Sequence, residues 1–107
     1  MNSNQLIHKL ALSFCYVDGD VDPLELNMLE SWGFMKEESD KIFSTIKSDQ
    51  DAIGLFKKTA SEINDNEDRL LVIALIRDIA YADGRLHESE LQCIEILESL
   101  WDVEIPL

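Results

Sequence analysis

The chain has 107 residues, 46% of them hydrophobic and 7% aromatic, enough to bury one core but not two, so a single domain over residues 1–107 is expected. Twenty-two acids face nine bases, a net charge of -13, which argues against any protein that grips a phosphate backbone through Lys and Arg. The excess is uneven: residues 1–58 hold ten acids and six bases, residues 59–107 twelve acids and three bases, so the second half should attract cations or a basic protein surface more strongly.

Leu6, Ile7, Leu10, Ala11, Phe14 and Val17 recur at helical spacing, and the pattern stops at Asp18 with Gly19 as a left-handed exit. In "DPLE", Asp22 is placed as an N-cap, Pro23 as the first helical residue and Glu25 as the third, with Val21 and Leu26 as a hydrophobic staple. This second helix carries Leu26, Leu29 and Trp32 on one side and ends near Gly33. "MKEESDKIFSTIKS" and "DAIGLFKKTASEIN" read as two shorter amphipathic helices, with Ile42, Phe43 and Ile46 inward in one and Ile53, Phe56 and Ala60 in the other. From Glu67, "EDRLLVIALIRDIAYAD" is apolar around much of its circumference, which predicts the buried central helix. It exits at Gly84, and a last helix follows with Leu91, Ile94, Leu97 and Trp101 inward.

The expected architecture is all-α: a compact single-domain bundle of about six helices, with two pseudo-repeated helix-turn-helix units around a buried central helix. The repeat has an offset of 65 residues. Leu10 falls on Leu75, Tyr16 on Tyr81, Asp18 on Asp83, Gly19 on Gly84, Glu25 on Glu90 and Leu26 on Leu91. The two tyrosines are expected to pack their rings in the core. Trp32 and Trp101, by their helical phase, are expected in the core rather than as exposed partner anchors.

Most of the repeated residues have a structural purpose, but Asp18 and Asp83 do not obviously have one. Each stands at the end of a helix, where the dipole is negative and an acid costs a few tenths to about 1 kcal/mol. One compensation is local: the carboxylate turns across the Gly to brace the next helix start. The other is a cation. Asp18, Asp20, Asp22 and Glu25 in the first turn, with Asp83 and Glu90 in the second, are hard oxygen donors suited to Ca2+ or Mg2+. Asp18, Asp20 and Asp22 take the first, third and fifth places of an EF-hand loop, but the sixth is Pro23 and the twelfth Leu29, so the loop fails as an EF-hand.

Cys15 and Cys93 sit in apolar helical patterns without a CxxC or Cys/His cluster, and read as buried free thiols. His8 and His87 read as polar surface or cap residues. No Ser/His/Asp set, phosphate loop or HExxH motif is present, so the expectation is a protein that is not an enzyme. The longest apolar run, Leu70 to Ile76, is too short to cross a bilayer, and no basic region precedes the first apolar residues. This predicts a cytoplasmic chain with no membrane insertion.

"IAYADGRLHESELQCIEILESLW" resembles the signature of the TerB-like family, which includes tellurite-resistance TerB proteins and the N-terminal regions of DjlA-type membrane-anchored co-chaperones. "FCYVDGDVDPLELNMLESW" is similar to the family's first copy of the same unit. The resemblance implies an all-helical fold with an acidic surface proposed to hold divalent cations, and a role in stress-response assemblies at or near the bacterial membrane. By matching position, Asp18, Glu25, Asp83 and Glu90 inherit the proposed site. The second turn departs from an all-acid pattern at Arg85 and His87. Two functions follow as expectations: a non-enzymatic stress-response module whose acidic turns bind a divalent cation or a basic protein partner, or an acidic inhibitory protein, such as an immunity protein, with no metal site.

Overall fold

The structure, a computed structural model, describes residues 3–17, 23–47, 51–82 and 88–105. Among them are six helices and no strand: α1 (Ser3–Tyr16), α2 (Pro23–Ser31), α3 (Lys36–Lys47), α4 (Ala52–Ser61), α5 (Asn66–Ala82) and α6 (Glu88–Trp101). The all-α expectation and its helix order hold.

Local chemistry sets several boundaries. Pro23 opens α2, where its missing N–H removes nothing from the helix ladder. Gly33, at φ +91°, closes it: the Gly33 amide donates to the Glu30 carbonyl at 2.9 Å and the Phe34 amide to the Leu29 carbonyl at 3.2 Å, the paired bonds of a Schellman ending. Asp51 caps α4 by accepting from the Gly54 amide at 2.9 Å. Asp65 caps α5 by accepting from the Glu67 amide at 2.8 Å. α6 ends in the same motif as α2, with the Val103 amide donating to Glu98 at 3.1 Å, but there the left-handed residue is Asp102, at φ +52°.

The helix at the centre is α1, not α5. It packs against α3, α4, α5 and α6, and Ile7, His8 and every residue from Leu10 to Cys15 are buried. Its polar residues are matched inside: Ser13 Oγ donates to the Lys9 carbonyl at 2.8 Å, and His8 meets Ser39 of α3. α5 contributes Val72, Leu75, Ile76 and Ile79 to the core, but Leu70, Leu71 and Tyr81 face outward. The apolar run of α5 is thus longer than the face its neighbours cover. Tyr81, at 58% exposure, is not a core ring as expected, whereas Tyr16 packs edge-on to Phe43 at 5.2 Å.

Buried side chains from all six helices form one cluster. The repeat is packed crosswise: α2, the second helix of the first unit, rests on α5, and α6 rests on α4 and α1. Trp101 of α6 is buried, its Nε1 donating to the Ala60 carbonyl at 3.3 Å while the Arg69 guanidinium lies 5.3 Å from its ring centroid. Trp32 is partly buried, its Nε1 donating to Asp78 Oδ2 at 2.9 Å. No helix among the described residues is long and apolar enough to cross a membrane.

Candidate functional site

Both acidic turns fall where the sequence puts them, between the end of α1 and the start of α2, and between the end of α5 and the start of α6. Asp18, Asp20, Asp22 and Asp83 lie outside the described residues, as do Gly19, Val21, Gly84, Arg85 and His87, and the side chain of Glu25 is likewise not described. Glu90 is the predicted ligand whose position is defined. It occupies the third residue of α6, where a carboxylate lies at the positive end of the helix dipole, and it is only 2% exposed.

The start of α6 inverts the ordinary hydrophobic order. Glu90 is turned inward and engaged, whereas its neighbour Leu91, expected on the inner face, is 42% exposed. Leu26, the equivalent leucine of the first repeat, is 36% exposed, and its expected staple partner Val21 lies outside the described residues. A carboxylate taken out of water costs on the order of several kcal/mol unless charge or hydrogen bonds compensate it, so this helix start is built around its acid. One turn further on, the Cys93 thiol is pushed up to about 12, first by burial and then by the Glu90 charge, and it stays protonated at any physiological pH. Among the described residues, no three His, Cys, Asp or Glu side chains converge as a metal-holding group.

A second feature was not foreseen from the sequence. A surface cleft of about 370 Å3 opens between Asn4 and Gln5 of α1, the Trp32–Gly33–Phe34 turn, Glu38 of α3 and Leu71 of α5. Its aromatic wall is fixed from behind. Trp32 is pinned by Asp78, and Phe34 stacks on the His8 imidazole at 4.5 Å with the planes 28° apart.

His8 corrects the surface role expected of it: it is 1% exposed, with Nε2 2.7 Å from Ser39 Oγ. Burial lowers its pKa below the ordinary imidazole range, against the opposing pull of the Glu38 charge, so it is neutral at pH 7. A His–Ser contact of this length is the geometry of a base beside a nucleophile. Here both side chains are buried and neither lines the cleft, so the pair ties α1 to α3 and offers no hydroxyl to a substrate.

Comparison with known proteins places this geometry in context. The sequence family described as "Tellurite resistance protein TerB" matches residues 7–104, nearly the whole chain and both acidic turns. Neither the curated proteins nor the solved structures gave a significant match.

Proposed function

The chain belongs to the TerB family, a family of non-catalytic helical domains related to tellurite resistance, and on that premise we propose that it is a cytoplasmic, non-enzymatic stress-response module whose acidic interhelical turns hold a divalent cation. Asp18, Asp20, Asp22 and Glu25 supply the first turn, and Asp83 and Glu90 the second. Carboxylate oxygens alone, without thiolate or imidazole, suit Ca2+ or Mg2+ over zinc or copper.

The observation that supports this reading is the inward turn of Glu90 with Leu91 left in water. Glu90 is engaged within the fold at the positive end of the α6 dipole, and the further acids that stand beside it in sequence would supply the oxygens for a positive charge. The acid surplus would also steer a basic protein partner toward this chain.

Thermal melting tests the proposal. A ligand that binds only the native state at one hundred times its Kd adds about 2.7 kcal/mol, which for a domain of this size raises Tm by roughly ten degrees or more. Millimolar Ca2+ or Mg2+ should raise Tm beyond matched ionic strength of NaCl, and Asp18→Asn combined with Asp83→Asn should abolish the response. Equal melting in divalent and monovalent salt would overturn the cation reading and leave the acids as turn braces or partner contacts.

A further inference from the structure

The cleft beside the Trp32–Gly33–Phe34 turn has the properties of a docking site rather than of a gap in packing. It is lined by Trp32, Phe34 and Leu71, with Glu38 as the charged side chain among its described lining residues. Its volume, about 370 Å3, is at the small end of ligand sites. That is room for one or two large side chains and not for an extended cofactor.

The wall is also prepared in advance. The Trp32 indole N–H is satisfied by Asp78, which leaves the ring available to an apolar contact. Phe34 is held flat by its stack on His8, itself anchored to Ser39. Aromatic side chains already fixed in place lose little entropy when a partner covers them, and tryptophan is among the residues that most often dominate such contacts.

Charge selects the occupant. On α5, Glu67 and Asp68 stand one turn before Leu71 on its own face, and Asp78 lies two turns after it. Glu38 of α3 adds a carboxylate to the lining, and Lys41 stands in the adjoining hollow. A slot with Trp32, Phe34 and Leu71 as its apolar wall and Asn4, Gln5 and Glu38 as its polar lining, in a chain of net charge -13, complements a segment that carries one large aliphatic side chain between lysines or arginines.

We propose that this cleft docks a basic amphipathic segment of a partner protein, seating an aliphatic side chain against Trp32, Phe34 and Leu71 while its cationic residues meet Glu38 and the acids of α5. The site is distinct from the acidic turns and does not depend on their holding a cation.

The test is a titration of the 15N-labelled full chain followed by NMR. The probe is a twelve-residue peptide of Lys and Leu in helical register, with two controls in which Ser replaces every Leu or Glu replaces every Lys. Saturable shifts of the Trp32 indole N–H and of the Phe34 and Leu71 amides are expected, while the buried Trp101 indole stays in place as an internal reference. Both controls and the surface substitution Leu71→Ser should weaken binding by about tenfold or more. Equal binding of the Lys/Ser peptide, no saturable shift up to about 1 mM, or shifts confined to residues 88–95 would each overturn the proposal. The last of these would leave charge steering by the turns intact, and the melting experiment judges the cation separately.

Discussion

As the pH falls, His8 works against the general trend of this protein's charge. Lowering the pH removes negative charge from a chain that carries 22 acids and nine bases, which eases self-repulsion and by itself favours the compact state. His8 works in the other direction. Its folded-state pKa is depressed, so between that value and the ordinary imidazole value near 6.5 the unfolded chain binds the proton and the native chain does not. The stability it contributes is intact above about 6.5 and is lost as the pH falls through that window, at up to about 1.4 kcal/mol per pH unit. The perturbation that isolates this term is His8→Phe together with Ser39→Ala. It replaces both members of a buried polar pair by apolar groups, and so leaves neither an unpaired hydroxyl nor a titratable ring. Urea melts of both proteins from pH 7.5 to 5.0 give ΔG at each pH, and the difference cancels the charge trend they share. The wild type should lose stability relative to the variant below about pH 6.5. A flat difference would mean that the Glu38 charge offsets burial, and a wild type that gains relative to the variant that it outweighs burial; either would make the account of His8 wrong.

Three further outcomes follow from the helix ends and the buried thiol. A Cβ at Gly54 would overlap the Asp51 carboxylate, so Gly54→Ala trades a helix-propensity gain of about 0.5–1 kcal/mol against the loss of a cap of about 1 kcal/mol. It should be close to neutral in the wild type yet stabilising in an Asp51→Ala background, and a double-mutant cycle with coupling under about 0.3 kcal/mol would refute the overlap. At the two left-handed helix exits the predictions have opposite sign: Gly33→Ala, with open space around the new methyl, should cost about 1–2 kcal/mol. Asp102→Gly, which relieves both the backbone and an acid at a helix C-terminus, should gain about 1 kcal/mol by chemical denaturation. Cys93 should react with a disulfide reagent at pH 8 only as fast as the protein unfolds globally, because burial raises its thiol first; Glu90→Gln removes the smaller cause and should not make the native thiol reactive.

Helix order and most inward faces were readable from periodicity, because an apolar stripe at 3.6 spacing needs no partner to be seen. Pro23 and Gly33 marked their helix ends through backbone restrictions that travel with the residue itself. What periodicity lacks is the identity of the neighbours. The α5 run is the most apolar in the chain and still exposes Leu70, Leu71 and Tyr81, whereas α1, with His8 and Ser13 on it, is the helix surrounded by others. The two polar residues can be buried because Ser39 and the Lys9 carbonyl receive them, and those contacts appear only after folding. The acid pattern of the turns was plain in sequence. That Glu90 would be drawn inside and Leu91 left out was not, since alternating acid and leucine at a helix start reads the other way. The cleft was hidden for a similar reason: Trp32, Phe34 and Leu71 belong to different elements, and only the tertiary fold brings them to one opening.

The central position of α1 bears on how the chain is made. Its core face, from Ile7 to Cys15, must be covered by α3, α4, α5 and α6, all of which leave the ribosome after it. A helix made before those that cover it is therefore among the last to be enclosed, and its row of Ile7, Leu10, Phe14 and their neighbours stays uncovered until α3 to α6 have emerged. No early fragment can complete this core, so folding should occur as one late event rather than helix by helix. A nascent chain stalled before Glu88 should present that apolar row to chaperones.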